Sequence, residues 1–198
     1  MIEKVPKHLG IIMDGNRRFA KRLMAKPWKG HEWGAKKLTK VLEWCQEYNI
    51  HEITLYTFSI QNFDRPKEEF DFLMNAFTEH FDNLKEDKRI YENKIKINVI
   101  GRISMFPKNV QEKISEIMEL TKNHDKYVIN FAMAYGGREE VIDAAIKIAE
   151  QVKEGTLNTN EINETIFENN LYMKDQPDLI IRTGGEKRVS NFLTFQGA

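Results

Sequence analysis

The chain has 198 residues, 41% of them hydrophobic and 30% charged, which supports one domain with a real core and excludes a disordered chain. Its 30 Lys and Arg balance 30 Asp and Glu, so the global charge points neither to nucleic acid nor to an anionic membrane surface. Cys45 is the single cysteine, which excludes an intrachain disulfide. With no signal-peptide core in MIEKVPKHLGIIM and no apolar run near the ~20 residues of a membrane span, the expectation is a cytoplasmic protein.

Short apolar runs alternate with amphipathic segments, the pattern of an α/β domain with a central, mostly parallel sheet flanked by helices. His8 to Met13 is short and rich in isoleucine, as a buried parallel strand is. After the turn Asp14-Gly15-Asn16, RRFAKRLMAK predicts a helix broken by Pro27 and Gly30. A helix from about Ala35 to Tyr48 places Leu38, Val41, Leu42 and Cys45 on one face. Glu52 to Ser59 reads as a strand, and Pro66 as the start of the next helix. That helix carries Phe70, Leu73, Met74, Phe77, Phe81 and Leu84 at helical spacing. Lys96 to Ile100 is a further strand, and Pro107 opens a helix with Val110, Ile114, Ile117 and Met118 inward. Tyr127 to Ala134 forms the fourth strand, ending at Tyr135-Gly136-Gly137. The helix after it turns Val141, Ile142, Ala145, Ile148 and Ala149 to one side. A polar connection near Gly155 to Asn163 leads to the fifth strand, Asp178 to Arg182.

In open α/β sheets ligands bind beyond the carboxyl ends of the strands, and three polar clusters fall there. Asp14-Gly15-Asn16-Arg17-Arg18 combines a permissive glycine, a helix start and two guanidinium forks, which suit phosphate oxygens. Asp14 is a carboxylate of the kind that holds Mg²⁺ together with substrate phosphates. Taken alone, the turn is also an ordinary loop capped by Asp14 or Asn16. Ser59-Ile60-Gln61-Asn62-Phe63-Asp64-Arg65-Pro66 gathers hydroxyl, amide and guanidinium groups beside an aromatic ring. Arg182-Thr183-Gly184-Gly185-Glu186-Lys187-Arg188-Val189-Ser190-Asn191-Phe192 makes a second anion cradle on paired glycines. Two cradles imply two phosphorylated ligands, with the Phe-rich helix as an apolar wall that also serves as core.

MDGNRRFA, Gly30-His31, FSIQNFDRP, AYGGREE and RTGGEKRVSNF occur in this order across nearly the whole chain. The series closely resembles the cis-prenyltransferases, the undecaprenyl- and dehydrodolichyl-diphosphate synthases. The resemblance implies a mainly parallel sheet enclosing a hydrophobic tunnel, a homodimer, and a Mg²⁺ requirement. It implies extension of an allylic diphosphate (farnesyl or geranylgeranyl) by isopentenyl diphosphate, with peripheral membrane contact through the lipid product. It assigns Asp14 as the key acid and Mg²⁺ ligand. Gly15, Asn16, Arg17 and Arg18 hold the allylic diphosphate, with Phe19 and His31 nearby. Ser59, Ile60, Gln61, Phe63 and Arg65 contact substrate, and Asn62 falls where the family has a proton acceptor. Arg182, Arg188, Val189 and Ser190 fall on the isopentenyl-diphosphate site.

The chain departs from the family pattern at Pro27, where an arginine is common, with Lys26 or Lys29 nearby as point charges. It also ends at Gln196-Gly197-Ala198, short of the family's C-terminal segment and its acidic Mg²⁺ ligand. That ending keeps a second expectation open, a non-catalytic partner subunit. Common nucleotide cradles lack support, since neither G-x-x-x-x-G-K-[ST] nor G-x-G-x-x-G occurs. The five histidines lack metal spacing; His31 alone is assigned to the site, and His8, His51, His80 and His124 read as surface or capping residues.

Overall fold

The structure, a computed structural model, describes residues 5–24 and 40–197, the side chains of Arg17 and Lys21 excepted. Five strands build one sheet in the order β3-β4-β2-β1-β5, and every neighbouring pair is parallel. They are β1 (His8–Ile12), β2 (Glu52–Ser59), β3 (Ile95–Ile100), β4 (Tyr127–Tyr135) and β5 (Leu179–Arg182). The helices are α1 (Asn16–Arg22), α2 (Lys67–Glu86), α3 (Lys88–Glu92), α4 (Lys108–Thr121), α5 (Gly137–Lys153) and α6 (Glu164–Asn170). Residues 40–47 are helical as well.

Side chains of successive strand residues point to opposite faces, and the two faces are packed differently. Ile53, Leu55, Ile97, Val99, Ile129 and Met133 form one face, covered by α2, α4 and the helix at 40–47. Phe70, Phe77 and Leu84 of α2 pack against it, while Leu73, Met74 and Phe81 are fully covered, as their spacing predicts. Phe58 is the hub of that layer: its ring centroid lies 5.0 Å from Phe63, 5.7 Å from Phe77 and 5.5 Å from Phe106. Burying such a side chain contributes roughly 1.5–3 kcal/mol. On the opposite face Ile12, Ile100, Ala132 and Tyr135 meet Met173, Phe192 and Leu193.

Phe58 reaches the first face because β2 is irregular there: its register against β4 shifts between Tyr56 and Phe58 and again before Ser59. Ala134 in β4, at φ 47, makes the matching bend. Irregularities of this kind re-aim side chains at strand ends. Here they bring Ser59 opposite Tyr135 at the carboxyl edge of the sheet.

Four expectations are corrected. The helix after Asp14 ends at Arg22 and does not continue through RRFAKRLMAK, because Met24 adopts a left-handed φ of 50. α5 buries Gly137, Glu140, Ala144 and Ile148, whereas Ile142 is 53% exposed and Ala145 and Ala149 are exposed too. The reason is Glu140, whose carboxylate accepts hydrogen bonds from Tyr135 Oη, the Tyr172 and Met173 amides and Gln196 Nε2. Burial nevertheless holds that carboxyl above the usual range. His8 is buried, its Nε2 2.8 Å from Thr54 Oγ1. The two expected anion cradles merge into one cluster, described next. Pro27, Gly30, His31, Leu38 and the start of the helix assigned from Ala35 lie outside the described residues.

Candidate functional site

The sheet order places β1 between β2 and β5, so the loops after these three strands share one edge. Asp14 follows β1 and Arg182 ends β5, with Ile12 and Arg182 paired across the sheet. Their side chains meet: Arg182 donates to Asp14 Oδ2 through Nη2 at 2.8 Å and Nε at 3.2 Å. Arg18, one turn into α1, donates to the same oxygen at 3.2 Å and to the Gly184 carbonyl at 3.0 Å. The Gly15 amide donates to Asp14 Oδ1 at 2.6 Å. Burial alone pushes the Asp14 carboxyl up, but the Arg182 bond, the Gly15 N–H and the charges of Arg182 and Arg18 together hold it below the usual range.

Arg182 Nη1 turns the other way. It donates to the Arg188 carbonyl at 2.6 Å and to Ser190 Oγ at 2.8 Å, so one guanidinium joins Asp14 to the loop carrying Arg188, Val189 and Ser190. Glu186 bridges the remaining cations, accepting from Arg18 at 2.8 Å and from Arg188 at 2.6 Å. Three guanidinium groups thus face two carboxylates, and the excess charge is positive. Such internal counter-ions occupy the donors that an incoming phosphate group would take.

The close contact depends on glycine. A Cβ on Gly184 would lie 3.0 Å from the Asp14 carbonyl oxygen and 3.0 Å from Arg18 Nη2, at a φ of +81. Any side chain there is strained by the backbone angle and must push against both neighbours. Thr183 secures the crossing by donating from Oγ1 to the Asp14 carbonyl at 2.7 Å.

Gly15 and Asn16 lie in the turn and at the start of α1, and Phe19 on α1 is half exposed. Val189 is similarly half exposed. The second cluster stands at the carboxyl end of β2 on a 3₁₀ turn, Ile60–Asp64. Asn62 is held by its own turn, its Oδ1 accepting the Ser59 N–H at 3.0 Å. Phe63 belongs to the aromatic layer, while Ile60 is half-buried and Gln61 is exposed. Arg65 is largely buried and its Nη1 pairs with the buried Glu69. His31 and the Arg17 side chain lie outside the described residues. Sequence reasoning assigned no role to Thr183, Glu186 or Tyr56. The Tyr56 hydroxyl sits within 3.3 Å of the Ser190 carbonyl, and only the fold reveals that pairing. Glu186 had a signal, an acid set between Gly185 and Arg188.

A parallel α/β sheet whose carboxyl edge carries a carboxylate shared by arginines is an arrangement suited to binding anions. Residues 12–198 match the undecaprenyl diphosphate synthase family. The chain belongs to that family, and so is a prenyltransferase of the cis type. It is 47% identical to a tritrans,polycis-undecaprenyl-diphosphate synthase (geranylgeranyl-diphosphate specific) of Pyrococcus horikoshii, over 99% of this chain and 77% of that one. The synthase of the same name from Pyrococcus furiosus is 48% identical over 97% of this chain and 74% of its own length. Among solved structures, lavandulyl diphosphate synthase from Lavandula x intermedia, in complex with dimethylallyl diphosphate, superposes with a TM-score of 0.90. It is 35% identical and the match covers 96% of this chain and 83% of that one. The intact Asp14 cluster and the synthase relatives favour a catalytic chain over a non-catalytic partner subunit.

Proposed function

We propose that this chain condenses isopentenyl diphosphate with geranylgeranyl diphosphate and extends it, through Z double bonds, to a long-chain polyprenyl diphosphate. The observation that carries the reading is Asp14 shared by Arg18 and Arg182, groups from opposite ends of the chain at one sheet edge. The starter follows the archaeal relatives, whose names specify geranylgeranyl diphosphate. Gly15, Asn16, Arg17 and Arg18 hold the allylic diphosphate, beside Phe19 and His31. Arg182, Arg188, Val189 and Ser190 hold isopentenyl diphosphate. Ser59, Ile60, Gln61, Phe63 and Arg65 contact the substrates.

Ionisation of the allylic carbon–oxygen bond builds negative charge on the leaving diphosphate, and preorganised guanidinium and N–H donors stabilise that charge. The residues fit a magnesium ion: Asp14 is a partly exposed hard oxygen ligand at the carboxyl edge of the sheet, and Mg²⁺ takes one or two carboxylates plus substrate phosphates rather than an all-protein cage. Mg²⁺ held by Asp14 would supply further positive charge to the diphosphate. Asn62, at the family's proton-acceptor position, is a weak base, so it relays or orients a proton rather than holding one, with its Oδ1 fixed by the Ser59 N–H.

The growing hydrocarbon gains roughly 0.8 kcal/mol for each CH₂ removed from water. The Phe-rich face of α2 supports a tunnel for it. Ile142 and Ile146, one turn apart on the outer side of α5 and half exposed, support a homodimer through that helix. Among the described residues no helix is long and apolar enough to cross a membrane; peripheral contact with a bilayer is expected through the lipid product.

The test is incubation with radiolabelled isopentenyl diphosphate, Mg²⁺ and either geranylgeranyl or farnesyl diphosphate, followed by organic extraction. Label in long prenyl chains, faster with geranylgeranyl diphosphate, is expected. No extractable product with either starter refutes the reading.

A further inference from the structure

The loop that carries Arg188 and Ser190 holds an improbable backbone. Ser190, Asn191 and Leu193 adopt φ values of 49, 63 and 45, in the left-handed region. Each such residue other than glycine costs of order 1–3 kcal/mol. The conformation persists only where surrounding contacts enforce it. Phe192 and Leu193 supply part of the hold: both are fully buried, and Phe192 stacks on Tyr56 with ring centroids 4.8 Å apart.

The rest comes from one side chain. Asn191 Oδ1 accepts the Arg138 N–H at 2.8 Å, and Asn191 Nδ2 donates to Glu139 Oε2 at 2.8 Å. Its carbonyl accepts the Gly137 N–H at 2.7 Å. The loop therefore rests on the first turn of α5, so closely that a Cβ on Gly137 would lie 2.7 Å from the Thr194 amide nitrogen. Asparagine suits the position for two reasons. It tolerates the left-handed region better than most residues, and its amide matches a donor on one side and a carboxylate on the other.

We propose that Asn191 is a positioning residue for the diphosphate grip. Its side chain clamps the loop to α5, so that Ser190 Oγ and the Arg188 carbonyl stay on Arg182 Nη1. The proposal rests on the assignment of Arg182, Arg188 and Ser190 to isopentenyl diphosphate. Asn191→Gly removes all three side-chain bonds, the one that Oδ1 accepts from Thr194 Oγ1 at 3.2 Å included, while permitting the backbone angle. Asn191→Asp sets a carboxylate against Glu139, and adding Glu139→Gln restores a matched pair with the roles exchanged.

Steady-state rates should be measured against each diphosphate in turn, and amide hydrogen exchange followed at residues 189–194. In N191G and N191D the KM for isopentenyl diphosphate should rise at least tenfold, with the KM for the allylic diphosphate within twofold of wild type. Exchange at 189–194 should quicken with Tm within a few degrees, and the N191D/E139Q pair should recover KM to within threefold. Equal rises in both KM values, or no recovery in the pair, would overturn the proposal. An inert wild-type protein would overturn the substrate assignment instead, and unchanged exchange at 189–194 in N191G would overturn the clamp itself.

Discussion

Replacing Arg182 with lysine keeps a positive charge and removes the planar fork. The guanidinium side chain, 12% exposed, donates four hydrogen bonds: two to Asp14 Oδ2, one to the Arg188 carbonyl and one to Ser190 Oγ. An ammonium on a flexible stem reaches one side of this junction at a time. Removing one preorganised donor at a developing oxyanion costs about 2.7–4 kcal/mol. At about 1.36 kcal/mol per tenfold, R182K should therefore lose about 100-fold in kcat/KM for isopentenyl diphosphate. The assay is the initial rate at saturating allylic diphosphate, with a thermal melt to confirm the fold. Activity within threefold of wild type would refute the reasoning. Arg182→Met tests the electrostatics of the same junction, because it removes both the hydrogen bond and the charge that lower the Asp14 carboxyl. In the wild type, stability from that depressed carboxyl is present above the unfolded value of about 3.9 and is lost as pH falls through the lower folded value. R182M should lose part of that stability at neutral pH, and its activity should begin to fall at a higher pH on the acid side.

Three other outcomes can be checked with simple variants. Gly184→Ala forces a Cβ against the Asp14 carbonyl at a φ of +81, and should cost about 1–3 kcal/mol with reduced turnover, measured by denaturant titration and rate. Glu140→Ala strands the Tyr172 and Met173 amides and the Tyr135 hydroxyl in the interior; a loss of about 3 kcal/mol, or about 6–12 °C in Tm, is expected by calorimetry. If α5 carries the proposed homodimer contact, light scattering should find a dimer for the wild type and a folded monomer for Ile142→Asp with Ile146→Asp, whose side chains are half exposed on that helix.

The strands were legible because buried parallel strands announce themselves as apolar runs, and β1, β2 and β4 lie where those runs predict. The α2 stripe was legible for the same reason. α5 was misread because counting apolar residues treats every carboxylate as solvent-facing. Glu140 is buried for its four donors, and Ile142 and Ile146 point out. His8 was misread likewise, since its partner Thr54 lies on another strand. The Asp14, Arg18, Arg182 and Ser190 motifs were visible as residue types, but their union was not. Asp14 and Arg182 stand 168 positions apart and meet only because β1 lies beside β5. Asn191 stood within the third cluster without a role of its own; its part appears only with the left-handed loop and the start of α5.

The most direct measurement compares product formation by the wild type and by Asp14→Asn, with geranylgeranyl diphosphate, labelled isopentenyl diphosphate and Mg²⁺. Asparagine retains an oxygen for the Gly15 amide but loses the charge that Arg18, Arg182 and a metal would share. The expected result is long-chain label from the wild type and a rate about 10²–10³-fold lower from a D14N protein that is still folded, with a somewhat lower Tm. Equal rates from the two proteins would contradict a diphosphate grip centred on Asp14.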